Sequence, residues 1–450
     1  MKRIIIFFLL TIITMRLFAQ HEHHMMSDTT KPQKMDMSNM DPMNMKMDHN
    51  HTMPSHSFSR SLPMNRNGSG TSWLPDASPM YMLMKQGKNT DWMFHGNIFL
   101  RYTNTDIFKS GNRGNNKIDA PNWFMLMMNK KIGGKGLLNI TSMISFDRLT
   151  EGGDGYPLLL QSGETYKGQP LVDKQHPHDL FSGLTIGYTQ MINKDIDVSG
   201  YIGYPGEPAL GPPAFMHRVS SMNNSDAPLG HHWQDATHIT FAVATIAFRY
   251  KNLKIEGSSF NGREPDEERY GFDKLRLNSY SYRLSYNASA NWAFQFSQGF
   301  IKEPETHEPG VDVKRTTASV LYSKKLSASQ QYDATLVWGY NDKSDGHHEH
   351  SILFEDNHRF GRNALYSRYE FVQKSTEELN LEDELGDKTF PVHVITLGYN
   401  RTILEGKYAA LAIGTQLKAN FIPAGLQGLY GNLPIGGQVY LQIRPALHRH

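Results

Sequence analysis

From Asp91 onward the chain alternates apolar and polar residues with period two. Trp292, Phe294 and Phe296 alternate with Ala293, Gln295 and Ser297. Tyr280, Tyr282, Leu284 and Tyr286 alternate with Ser279, Ser281, Arg283 and Ser285. Val439, Leu441 and Ile443 alternate with Gln438, Tyr440 and Gln442. One apolar and one polar face per segment is the pattern of a half-buried β-strand. These segments run about ten to thirteen residues, whereas globular strands average about 5–6 and a tilted strand crossing a bilayer needs about 9–11. The pattern predicts strands near 92–104, 121–132, 136–148, 179–191, 195–204, 236–250, 253–262, 276–288, 291–302, 313–326, 330–341, 349–359, 363–374, 390–403, 408–421 and 436–446. That is sixteen, and single-chain bacterial membrane barrels have even numbers.

The connections alternate in length. Short turns follow Ile132, Met191, Tyr250, Ala288, Leu326, Phe360 and Leu404. Long loops fall near 105–120, 149–178, 205–235, 263–275, 303–312, 342–348, 375–389 and 422–435. Short periplasmic turns alternating with long extracellular loops are the outer-membrane barrel arrangement. The predicted fold is therefore all-β, a transmembrane antiparallel β-barrel over 91–450. Trp92, Tyr102, Trp123, Tyr188, Tyr250, Trp292, Trp338, Tyr366, Tyr399 and Tyr440 suit the two membrane interfaces. The lumen face is expected to carry Arg101, Lys254, Glu256, Arg283, Asp333, Arg368, Glu370 and Arg444. These charges either pair to fill the lumen or line a water channel.

Composition narrows the picture. A mean hydropathy of −0.52 excludes a bundle of membrane helices. The chain has no cysteine, which excludes disulfides and thiolate metal sites. A formal net charge of +2 gives no reason to expect nucleic acid. Lys2 and Arg3, the apolar run Ile4–Ile13 and Leu17-Phe18-Ala19 read as a secretory signal peptide over 1–19. Export and the barrel pattern together place the protein in the Gram-negative outer membrane. No Gly-x-Ser-x-Gly, Walker loop or His-Glu-x-x-His is present, so no catalytic residues are assigned and a non-enzymatic role is expected.

Methionine and histidine are out of line, at 23 and 21 residues. Ten Met and six His lie in 20–66, almost without Leu, Ile or Val. Such a segment buries too little surface to offset its ordering entropy, so 20–66 is expected to be a disordered periplasmic tail, joined by a linker over 67–90. His21, His23, His24, Met35, Met37, Met43, Met45, Met47, His49 and His51 place donors close together on a flexible chain. Thioether suits Cu(I) and, by the same softness, Ag(I); imidazole suits Cu(II), Zn and Ni.

A second group of histidines lies in the long loops: His176, His178, His217, His231, His232 and His238, with Asp179, Glu207 and Asp235 as carboxylate candidates. Prolines at 205, 208, 212, 213 and 228 stiffen the loop after Tyr204, which is expected to fold inward as a constriction. The histidines there could hold Cu(II), Zn or Co, or could satisfy backbone groups of a loop plug. Asn261 to Glu268 reads as a salt-bridged loop supporting it.

The exported Met35–Met53 stretch, with Met47-Asp48-His49, followed by a barrel, resembles outer-membrane proteins of Bacteroidota linked to copper and heavy-metal resistance, and is loosely similar to copper-resistance protein B. The strings His176-Pro177-His178-Asp179, Gly206-Glu207-Pro208-Ala209-Leu210-Gly211, Phe215-Met216-His217-Arg218 and Gly230-His231-His232-Trp233 look like family signatures. The resemblance implies metal handling. Copper-resistance protein B has a smaller barrel, so the resemblance transfers residues only in the tail. The expected partners are outer-membrane lipid, copper or silver ions and periplasmic metal-efflux components. A substrate-specific porin for a small polar solute and a loop-plugged structural barrel are the alternatives.

Overall fold

A computed structural model describes residues 54–306 and 308–448. Sixteen long strands form the wall: β1 Thr90–Asn104, β2 Asn122–Ile132, β3 Gly136–Ile144, β4 Phe181–Met191, β5 Ile196–Gly203, β6 Val243–Tyr250, β7 Leu253–Phe260, β8 Ser279–Ser289, β9 Trp292–Ile301, β10 Val313–Lys325, β11 Gln330–Lys343, β12 His348–Phe360, β13 Asn363–Ser375, β14 Thr389–Glu405, β15 Ala409–Phe421 and β16 Ile435–Pro445. Each pairs antiparallel with the next. β16 closes on β1 through the register Gly437↔Asn104 to Ile443↔Ile98. Short strands Leu83–Gln86 and Asn116–Asp119 also pair with β1.

Alternation sets the two faces. On β6, Ile246, Phe248 and Tyr250 point outward while Thr245, Ala247 and Arg249 are buried. Leu336, Leu397 and Ile413 likewise lie on the outer surface. A closed ladder with an apolar outer band satisfies every strand's backbone within hydrocarbon, which an open sheet cannot. The fold is that of an outer-membrane-type β-barrel.

Several boundaries differ from the sequence reading. β3 stops at Ile144, where Asp147–Thr150 makes a helical turn. β6 begins at Val243, because 236–242 belongs to the loop inside the barrel. The long loop after β3 contains an unforeseen hairpin, Tyr156–Tyr166 with Gln169–Gln175. Three of the expected interface aromatics turn inward. Tyr366 and Tyr440 lie over Gly398 and Gly414, whose missing side chains leave room for the rings, and their hydroxyls meet at 3.1 Å. Trp123 packs on His217 with ring centroids 4.8 Å apart.

The lumen is filled from both ends. Residues 54–66, expected to belong to a disordered tail, and the expected linker from 67 onward are folded against the inside of the wall. Phe58, Leu62, Met64, Trp73 and Leu74 are buried. The barrel interior provides the apolar surface that this segment cannot make alone. Phe58 sits over Gly187 and edge-on to Tyr201, and Trp73 lies between the cations of Arg66 (4.9 Å) and Lys254 (4.8 Å). Ser59 donates to Asp197, and Arg66 pairs with Asp76 at 2.6 Å.

From the long-loop end, the 204–242 segment folds inward as its prolines suggested. Leu210 packs with Val243, Phe260, Ile301 and Val313. The Gly211 amide donates to Ser297 Oγ (2.8 Å) and the Ala214 amide to Ser69 Oγ (2.7 Å), so the two segments meet inside the barrel.

The expected lumen charges face inward and are engaged there. Arg101 pairs with Asp119 (2.6 Å) and with Asp226 of the loop (2.9 Å). Arg283 pairs with Glu256 (3.0 Å), which also binds Lys254 (3.1 Å). Arg368 pairs with Glu355 (3.0 Å), Glu370 accepts the Leu229 amide (2.6 Å), and the Arg444 guanidinium lies 4.4 Å from the Tyr81 ring. Asp333 accepts from Ser323 at 2.5 Å. Arg101, Lys254, Glu256, Arg283 and Arg368 are thus ion-paired, whereas Asp333, Glu370 and Arg444 are held by a hydroxyl, a backbone amide and an aromatic ring.

Candidate metal site in the lumen plug

The plug brings five of the six loop histidines together. Its short helical turn His231–Gln234 is fixed to the wall by the Trp233 indole, which donates to Glu349 (3.2 Å), and by Gln234, which donates to Ser351 (3.1 Å). Lys374 lies 4.6 Å from the Trp233 ring. Ring centroids then run His176–His178 (6.3 Å), His178–His238 (5.5 Å), His238–His231 (5.0 Å), His231–His232 (5.5 Å) and His232–His176 (6.0 Å). The five imidazoles close a circuit.

Four of these imidazoles are tethered through Nδ1. His178 Nδ1 pairs with Asp147 (2.7 Å), His231 Nδ1 with Asp235 (2.6 Å), His176 Nδ1 with Glu164 (3.2 Å), and His238 Nδ1 meets the Asp235 carbonyl (2.9 Å). A carboxylate or carbonyl on Nδ1 fixes the tautomer that leaves Nε2 as a lone-pair donor, the usual outer-shell arrangement around a metal. The Nε2 atoms of His178 and His238 are buried and have no partner. Such atoms need a partner, which a bound ion or a water can supply.

Burial holds His176, His231 and His238 below their ordinary pKa, reinforced by neighbouring imidazoles and opposed at His231 by Asp235. They are neutral at physiological pH, as metal ligands must be. His232 differs. Burial disfavours its charge, but Glu264 (3.3 Å) and Glu305 (3.4 Å) override it and raise the imidazole to about 10. Ligand atoms of His232, Glu264 and Glu305 lie within 4.8 Å of one another, close enough to share one ion. The donor set of imidazole and carboxylate fits Cu(II), Zn or Ni.

Not every candidate joins the site. His217 lies apart, against Trp123. Asp179 pairs with Arg269 (3.3 Å), and Glu207 lies beside Gly70, 4.0 Å from Arg283. The tail donors His21, His23, His24, Met35, Met37, Met43, Met45, Met47, His49 and His51 lie outside the described residues. Sequence reasoning missed Asp147 and Glu164, both in the loop between β3 and β4, and Glu305, in the loop after β9. Glu264 was placed only in a supporting loop, and it is a direct partner of His232.

Gly163 provides a local test. Its φ is +115°, and a Cβ there would stand 2.3 Å from His232 Cε1. Gly163→Ala is expected to push His232 off its carboxylates and weaken Cu(II) binding by about tenfold, the lower end of what disturbing a ligand's support costs. Calorimetric titration of the folded protein checks this.

No family model matches the chain, and no curated protein sequence matches it. Among solved structures the chain is similar to the anion-selective porin from Comamonas acidovorans, at 11% identity and a TM-score of 0.47, over 79% of this chain and 99% of that one. It is similar to Salmonella typhi OmpF in complex with daunomycin, at 10% identity and 0.48, over 80% and 100%. It is also similar to a loop-deletion mutant of OmpT, an outer membrane protein of Vibrio cholerae, at 9% identity and 0.45, over 80% and 99%.

Proposed function

We propose that this protein is an outer-membrane barrel that handles transition-metal ions, copper or silver above all, and that the histidine circuit is its binding site for the divalent ion. The observation that carries this reading is the circuit of five imidazoles, in which Nε2 of His178, His232 and His238 is buried without a hydrogen-bond partner and His232 lies close enough to Glu264 and Glu305 to share one ion. Capture of soft ions by the Met/His stretch over 21–51, and transfer to or from periplasmic efflux components, belong to the same reading.

The test is Cu(II) titration of the folded, full-length protein, followed by electron paramagnetic resonance. A nitrogen-coordinated signal that His178→Ala and His238→Ala each weaken supports the proposal. A signal unchanged by either substitution sinks it. Because His232 carries a proton when no ion is bound, binding at the His232, Glu264 and Glu305 group is expected to release about one proton per ion near pH 7.5. Titration calorimetry in buffers of different ionisation enthalpy measures that number.

A porin for a small polar solute would need the plug to leave the lumen. Arg218→Met, which removes the link between plug and wall, separates the two readings.

A further inference from the structure

On β1 and β2 the inward positions depart from the rule of the wall. β8 turns Ser279, Ser281, Arg283 and Ser285 inward. β1 and β2 instead pair His95 with Met125 and Met93 with Met127 in register. Met64, Met80 and Met82, from the segment ahead of the barrel, pack into the same cluster. Met216 and His217 come down from the loop plug. Three separate parts of the chain thus send thioethers to one place.

They do not close on one another. A cavity of about 110 Å³ remains between them. Flexible Met side chains ordinarily fill gaps in a core. Here they surround space, together with two imidazoles and with Arg218 and Arg444, whose guanidiniums are engaged by Glu355 and Asp235 and by the Tyr81 ring. A smaller cavity of about 60 Å³ shares Met125, Met127 and His217 with the first and reaches His238 of the histidine circuit. The two donor sets therefore border one connected lining. Burial, with His95 nearby, holds the His217 imidazole down to about 3, so it stands as a neutral lone-pair donor.

We propose that this cavity binds one soft monovalent cation, Cu(I) or Ag(I), through the thioethers of Met82, Met125 and Met127 with His95 or His217 completing the coordination. Thioether and neutral imidazole are the donors such an ion prefers, and neither carboxylate nor thiolate is required. The inference rests on the metal-handling reading and adds to it a second site, with a different preference, inside the barrel.

The test uses the folded, full-length protein in detergent and Ag(I) alone. Met82→Leu/Met125→Leu/Met127→Leu conserves volume and keeps the fold. Titration against a competing chelator is expected to show one fewer tight Ag(I) equivalent in this variant, the lost site being weakened by more than about 100-fold, beyond what loss of outer-shell support alone costs. In unaltered protein labelled with [13C-methyl]methionine, the Met82, Met125 and Met127 methyl resonances are expected to shift as Ag(I) is added, which keeps the test open if the variant misfolds. Unmoved cavity methyls, or an unchanged Ag(I) stoichiometry in the folded variant, would overturn the proposal. Cu(II) binding at the histidine circuit is read separately. Its loss with Ag(I) retained strikes the divalent-site reading and leaves the cavity standing.

Discussion

Arg218→Met is expected to turn the closed barrel into a conducting one. Arg218 joins the loop plug to the wall and is fully buried. Its guanidinium binds Glu355 of β12 at 2.7 Å, Asp235 of the plug at 2.8 Å and the Pro213 carbonyl at 3.0 Å. Removing one partner of a buried ion pair costs about 3–5 kcal/mol, because the other charge stays buried. Glu355 keeps Arg368, and Asp235 keeps a hydrogen bond from the neutral His231 imidazole, which puts the cost near the lower end of that range. Asp235 nonetheless loses the guanidinium that Arg218 supplies, and the hydrogen bond from the neutral His231 imidazole does not replace that charge. The plug would then spend part of its time out of the lumen. Single-channel recordings in planar bilayers should show frequent porin-like openings in the variant and rare ones in the unaltered protein. The wall ladder is untouched, so heat-modifiable migration on detergent gels should not change. Equal conductance in both proteins would mean that Arg218 does not hold the plug.

The second large effect concerns binding. His178→Ala/His238→Ala removes two of the three circuit Nε2 atoms that have no hydrogen-bond partner and leaves the tethering groups in place. Loss of an outer-shell partner of a metal ligand typically costs about 10–100-fold in affinity, so loss of two ligands should exceed about 100-fold. His217→Ala, whose imidazole lies away from the circuit, should leave Cu(II) affinity within about twofold, a few tenths of a kcal/mol. Competition titrations on all three proteins decide this. A double variant that binds Cu(II) as tightly as the parent would place the ion elsewhere.

The wall was legible because two independent patterns repeat along it, alternation within each strand and short-then-long connections between strands. The lumen charges followed from the same alternation. What stayed hidden depends on contacts across the barrel. Phe58, Leu62, Trp73 and Leu74 are too scattered to predict a folded segment, and they bury only because the wall supplies their partners. Tyr366 and Tyr440 were assigned to the membrane interface because no sequence pattern pairs them with Gly398 and Gly414. The histidines were recognisable as a group, but His217 adjoins Arg218 in sequence while its ring turns to another face of the plug. Asp147 and Glu164 tether histidines of their own loop, but Glu264 and Glu305 reach His232 from loops that no sequence pattern joins to it. The methionine cavity left a trace, since Met80, Met82 and Met84, then Met125 and Met127, recur at alternate positions. Beside a tail far richer in Met, that trace did not stand out.

Glu256 and Arg283 are direct cross-strand neighbours, as are Glu355 and Arg368. Each pair is complete within the wall, whereas Asp226, Asp235 and Arg218 belong to the plug. An emptied lumen would therefore wet without stranding these pairs. Water would replace the plug's contacts, and the cross-strand pairs would persist at lower strength in the higher dielectric. The wall is thus compatible with a dry state and a wet one, and the free-energy difference between them lies mainly in the contacts of the inserted chain.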